Sequence, residues 1–204
     1  MRIFALTENR RINELAGFVG ITLAVLLALC LLSYSPQDAA FNVAAAPPSG
    51  GPSHNWIGPV GAHVADLFFQ GIGYAAFLFP VGLFLLAFRR FRSQKVNAPI
   101  AKTVGCALFI FALPAELSLI GAPEVRGALP PGGMFGELMA HVLRSAVNSI
   151  GANVVAFACI FAALLLTTPF TFAGTAKWMR GPLSAEGFLG DRKSTRLNSS
   201  HGII

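Results

Sequence analysis

Residues 15–32 read LAGFVGITLAVLLALCLL, an uninterrupted apolar run with no charged residue. As a helix rising about 1.5 Å per residue, it would extend about 27 Å, close to the roughly 30 Å hydrocarbon core of a bilayer. The run is longer than the roughly 7–15-residue apolar region of a secretory signal. It therefore predicts an uncleaved first membrane span, preceded by Arg2, Arg10 and Arg11, although Ala44 to Ala46 has the small side chains of a cleavage site. The whole chain agrees with this reading, with 54% hydrophobic and 12% charged residues in 204, against about 25% charged in an ordinary soluble domain.

Working outward, residues 33–62 are rich in Pro and Gly and contain no Lys or Arg, which predicts an external loop. A second apolar block, 63–88, ends at Arg89, Arg90, Arg92 and Lys95. By the positive-inside rule this cluster is cytoplasmic. The third block, 104–121, follows Lys102 and contains Pro114, which removes a helical hydrogen bond and predicts a kink. Residues 122–133 form a second Pro- and Gly-rich external loop. In 134–149, Phe135, Leu138, Met139, Val142 and Ala146 recur at helical spacing opposite Glu137, His141, Arg144 and Asn148. This pattern predicts an amphipathic helix, lying either in the outer interface or as a bundle-facing extension of the fourth span, 150–168.

After Pro169, the group Lys177, Trp178 and Arg180 suits an inner-face anchor. The expected fold class is thus an all-α integral membrane protein with four transmembrane helices. Residues 1–14 form a cytoplasmic N-terminus, 15–168 the membrane domain and 169–190 the start of a cytoplasmic linker. Both termini face the cytoplasm. The net charge of +6 is placed beside the spans, where it sets topology and meets anionic headgroups rather than forming a nucleic-acid surface.

The tail DRKSTRLNSSH, 191–201, resembles a translated sequencing-library adapter, so 191–204 is set apart from functional reasoning. A chain truncated after Gly190 is the corresponding expectation. Lys193 and Ser194 imitate the end of a phosphate-binding loop, but Arg192 occupies the position that needs Gly.

Candidate chemistry is sparse, and the residues nominate no catalytic, cofactor-binding or metal site. Cys30, Cys106 and Cys159 sit singly within apolar blocks without metal-ligand spacing and read as small hydrophobes. Ser118 and His141 lack the flanking motif that a nucleophile and its base require. Ala16, Gly20, Ala24 and Ala28 make a small-residue stripe suited to close helix approach. His63 and Asp66 stand one turn apart near the outer end of the second block, within reach of each other. Glu116 lies in the outer half of the third. Ionisable residues at such depth are functional candidates. One class of function, a small transporter or channel subunit, would use Asp66 and Glu116 as coupling or gating acids.

A second class follows from the order of short motifs. ELAGFVGITLAVLLALCLLSYSPQDAAFN occupies 14–42; the pattern N-x-x-G-x-x-G-A-x-x-A-D-x-x-x-Q-x-x-G runs from Asn55 to Gly73; and GGMFGELM occupies 132–139. Together they resemble the N-terminal four-span domain of the bacterial FtsK/SpoIIIE DNA translocases. The resemblance implies an inner-membrane anchor at the division septum, acting in cell division and chromosome segregation. It further implies a hexameric assembly, contacts with septal proteins and the bilayer, and DNA contact only through a motor domain beyond the fourth span. ATP and Mg2+ would serve that motor. This sequence has no G-x-x-x-x-G-K-[ST] loop.

Overall fold

The computed structural model describes residues 9–38, 53–94 and 99–168. Arg2, Lys95, Ala44 to Ala46, the Lys177–Trp178–Arg180 anchor, the linker 169–190 and the tail 191–204 lie outside the described residues.

Helix α1, Arg10–Leu32, starts where the Asn9 side chain accepts the Arg11 N–H at 3.0 Å, satisfying one of the amide groups left open at a helix start. It stops at Ser33, whose N–H and hydroxyl both donate to the Leu29 carbonyl. Helix α2, Pro59–Ile72, begins after Gly58 with Pro in its first turn, where a missing N–H costs nothing. A 3-10 turn, Gly73–Phe77, leads into α3, Leu78–Phe91. Helix α4 is Pro99–Leu119 with Pro114 inside it, and α5 is Gly133–Thr167. Four helical stretches are long and apolar enough to cross a membrane: Arg10–Leu32, Pro59–Phe91, Ile100–Leu119 and Gly133–Thr167. The fold is therefore all-α, with four candidate spans.

The packing inverts that of a soluble protein. Ala24, Ala65, Ala76, Ala152, Ala156 and Ala163 are buried, while Leu15, Phe18, Val154 and Phe157 face outward. Lipid is no less apolar than Leu, so large side chains gain little by turning inward, and small ones let helix backbones approach.

Two antiparallel pairs result. On α1, a side chain at Gly17 would strike the Phe91 backbone, and one at Gly20 would meet the Ala87 Cβ at 2.7 Å. The α1 seam is thus Asn13, Gly17, Gly20 and Ala24 rather than the strict four-residue stripe, and its partner, α3, belongs to the same chain. In the second pair, Gly105 of α4 lies against Ala163, Leu166 and Thr167 of α5, while Leu119 clusters with Ala152 and Ala156. Arg10 and Arg11 consequently share one end of the α1–α3 pair with Arg89, Arg90 and Arg92, termed here the basic end. The opposite end, where residues 33–38, 53–58 and 120–132 gather, is the loop end.

The structure divides the block 63–88. Ile72 (φ −133°, ψ 8°) and Gly73 (φ 56°, ψ −140°) break the helical path. Ala65, Phe69 and Ala76 form one core cluster with Cys30, Leu31 and Tyr34 at the end of α1 and with Val125 of the α4–α5 loop, and Ile72 and Phe77 pack against it. Gly61 lies by the Cys30 sulfur, and Gly73 against Pro131. Both ends of α2 therefore stay at the loop end, and only α3, about 21 Å long, runs along α1. The predicted amphipathic helix and fourth span likewise form one run, α5, with non-helical backbone at Val147 and Asn148. Its first half, 133–146, packs across the end of α4: a side chain at Gly132 or Gly136 would strike the Pro114 carbonyl.

Candidate functional site

Polar side chains converge at the loop end and tie its segments together. Asp38 is buried, and its carboxylate accepts the Ser53 hydroxyl at 2.9 Å and the backbone N–H groups of His54 at 2.8 Å and Asn55 at 2.9 Å. His54 Nδ1 lies 2.9 Å from Asp38 Oδ1. Burial pushes the Asp38 carboxyl up, but the bonds from His54, Ser53 and Asn55 outweigh it and hold the group below its ordinary 3.8. Asn55, also buried, donates through Nδ2 to the Cys30 carbonyl at 2.8 Å, and its Oδ1 accepts the Ile57 N–H at 3.1 Å. The Trp56 N–H donates to the Ser33 hydroxyl at 3.0 Å. The chain that leaves α1 and the chain that enters α2 are thereby bound to each other.

A second bracket joins α1 to α2. Asp66 is buried; its Oδ1 accepts the Tyr34 hydroxyl at 3.2 Å and its Oδ2 accepts Gln70 Nε2 at 2.6 Å. The Tyr34 ring packs on Phe69 with centroids 4.9 Å apart, and Phe69 meets Phe77 edge-on at 5.7 Å. A third set of bonds reaches the α4–α5 loop. Tyr74 donates through its N–H to the Pro131 carbonyl at 2.8 Å and through its hydroxyl to the Glu124 carbonyl at 3.1 Å. Arg126 donates to the Leu32 carbonyl at 3.1 Å, and Arg144 to the Ser118 and Leu119 carbonyls at 3.0 and 3.2 Å. Each Arg thus satisfies carbonyls left open at the end of α1 or α4, where a cation also complements the helix dipole.

Of the acids singled out in the sequence, Asp66 is engaged in this bracket, whereas Glu116 is buried in α4 with neither carboxylate oxygen hydrogen-bonded. His63 Nδ1 lies 2.7 Å from the Pro59 carbonyl. His141 is exposed on α5, while Ser118 is buried with its hydroxyl unpaired. Cys30, Cys106 and Cys159 are free thiols. Among the described residues, no three His, Cys, Asp or Glu side chains come together as metal ligands.

The motif residues from Asn55 to Gly73 acquire physical roles in this geometry. Asn55, Asp66 and Gln70 carry the polar links. Gly61 leaves no room for a side chain beside Asn55 and Ile57, and Gly73 makes the positive-φ break against Pro131. No spacing or motif signals that Asp38 receives three consecutive residues across the intervening loop, or that Arg126 and Arg144 cap distant helices, because these contacts arise only when the loop end closes. The assembled site is a clasp of buried polar contacts and aromatic packing.

The family described as the 4TM region of the DNA translocase FtsK/SpoIIIE matches residues 9–180. The DNA translocase FtsK of Azospirillum brasilense is 28% identical over 206 residues, covering 93% of this chain and 32% of that protein. Its counterpart from Vibrio vulnificus (strain CMCP6) is 24% identical over 176 residues, covering 83% of this chain and 17% of that protein. For the DNA translocase FtsK of Rickettsia bellii (strain RML369-C) the identity is 28% over 141 residues, with 69% and 18% covered. The chain therefore spans a third or less of the length of these relatives. No solved structure matches it.

Proposed function

Because the chain belongs to the family of the FtsK/SpoIIIE 4TM region, we propose that it is the membrane anchor of a DNA translocase in the bacterial inner membrane, positioned at the division septum with both termini in the cytoplasm. The observation that carries this reading is the family match over residues 9–180, which takes in all four apolar helical stretches. A motor that pulls DNA must pass its reaction force to something larger than itself. Four spans give an anchor far more persistent than a single lipid chain. The clasp supports the same role, since load applied through the chain beyond the fourth span would be shared by segments tied together at the loop end.

On this reading the domain also helps to assemble the motor as a homo-oligomer, a hexamer by analogy with the family, and meets division proteins in the membrane. DNA, ATP and Mg2+ belong to the motor rather than to these helices. The test replaces the membrane domain of a full-length translocase with residues 1–180 of this chain and follows septal localisation and chromosome segregation in dividing cells. Localisation and segregation comparable to the parent are expected. A fusion that inserts stably but spreads evenly around the membrane would overturn the septal role.

Among the described residues, the unpartnered carboxyl of Glu116 favours a transporter or channel subunit. Glu116→Gln in the same fusion separates the two readings. An anchor keeps segregation at the unsubstituted level, whereas a coupling acid loses its function on neutralisation.

A further inference from the structure

We propose that the domain consists of two tandem copies of one unit, a long span, a boundary helix and a return span, and that the boundary helices, α2 and the first half of α5, seat on the headgroup–acyl boundary of the surrounding bilayer.

The backbone carries the equivalence. Gly58 (φ 80°) precedes α2 and Gly73 (φ 56°) ends it; Gly133 (φ 63°) opens α5 and Asn148 (φ 60°) breaks it. The same fifteen-residue interval separates the members of each pair. The residues just before the two breaks also agree, Ile72 at φ −133°, ψ 8° and Val147 at φ −133°, ψ 17°. Within this register Gly61 matches Gly136, both without space for a Cβ, and Ala65 matches Ala140, both fully buried.

The long spans add an independent correspondence. Buried Gly17, Ala24 and Leu31 follow one another at seven-residue steps on α1, as do buried Gly105, Ala112 and Leu119 on α4. Gly17 of the first set lies against α3 and Gly105 of the second against the second half of α5, and each long span has terminal carbonyls held by an Arg. The two units therefore share their order of elements and their direction. They differ mainly in the connection between long span and boundary helix, which is longer in the first unit.

The outward faces agree at two pairs of positions. In the shared register Pro59 matches Met134, and Leu67 matches Val142, and all four are exposed. Val60 and Leu138 extend these apolar faces at 73% and 57% exposure, and Trp56, just before α2, is 70% exposed. A helix with one apolar face, lying across the ends of membrane spans, fits the lipid boundary. Trp prefers that depth. The faces also continue the outward apolar surface of the spans through Leu32 and Ile120.

Depth measurement on the intact chain tests the proposal. With Cys30, Cys106 and Cys159 replaced by Ala, single substitutions Leu67→Cys and Val142→Cys are spin-labelled in phosphatidylethanolamine–phosphatidylglycerol vesicles, with Leu85→Cys and Phe157→Cys as span references and Gln94→Cys as a water reference. Collisions with oxygen and with a water-soluble nickel chelate report depth. Labels at Leu67 and Val142 should lie equally deep, about 5–10 Å into the boundary, and shallower than both span references. A Leu67 label as deep as the Leu85 label would make α2 part of a crossing and overturn the proposal. Labels as water-accessible as that at Gln94, or unequal by a helical turn, would overturn it as well. Val60→Cys and Leu138→Cys repeat the test should either first-choice variant fail to insert.

Discussion

Asp66 brings a carboxyl group into a mostly apolar helix and keeps it there by accepting hydrogen bonds from Tyr34 and Gln70. Asp66→Asn keeps one acceptor oxygen and puts an NH2 donor in place of the other, so one of the two bonds survives only if Tyr34 or Gln70 reorients to accept, and the variant should lose less stability than Asp66→Ala. Asp66→Ala leaves the buried Tyr34 hydroxyl unpaired, with an expected loss of about 1–3 kcal/mol, read as an earlier unfolding midpoint in detergent. Asp38 carries a pH dependence whose sign is fixed. Its folded value lies below 3.8, so its stabilisation is complete above that value and is lost as pH falls through the lower folded one. Acid titration of helix content should show this loss, and Asp38→Asn should weaken it. Asn148 occupies φ 60°, ψ 172°, a region that is otherwise almost confined to Gly and costs other residues about 1–3 kcal/mol. Asn148→Gly should therefore raise the midpoint, and Asn148→Ala should lower it.

At the scale of elements, the close approach of α4 and α5 depends on glycines that face a backbone carbonyl. Gly136→Leu would drive a side chain into Pro114 and should destabilise by about 1–3 kcal/mol or more, or prevent folding; thermal unfolding followed by circular dichroism would measure it. The existence of these elements could be read from the sequence because an uncharged run such as 15–32 has few physical alternatives to crossing a bilayer. Helix ends were less legible: Pro59 falls in the loop 33–62 that the sequence predicts, whereas it opens α2 four residues ahead of the predicted block. The direction of α2 was not legible. An apolar helix lying across the bundle and one running through it have similar composition, and the difference rests on the break at Gly73 and on contacts with Cys30, Tyr34 and Pro131. The α1 seam was half legible: Gly20 and Ala24 belong to it, but the straight four-residue stripe ignored the helical drift that brings Gly17 to the partner in place of Ala16. The polar clasp was the least legible, since Asp38 meets residues 53–55 across a long loop and Arg144 reaches α4 from α5.

On the scale of the molecule, the four proposed crossings put the basic end of the bundle on one side of the membrane and the loop end on the other. In the proposed topology the basic residues beside α1, α3 and α4 set the orientation through the positive-inside rule; α1 and α3 bring theirs together by antiparallel packing. In the proposed anchor the chain beyond the fourth span would be cytoplasmic, the side on which a DNA-pulling motor has access to the chromosome. The two-unit architecture requires the same pattern, because each unit starts and finishes at the basic end. The most direct test fuses paired topology reporters, active only outside or only inside the inner membrane, after Pro52, Gln94, Gly127 and Arg180. Outside, inside, outside and inside are expected, in that order. A reversed pattern, or Gln94 and Gly127 reporting on the same side, would contradict the proposed topology.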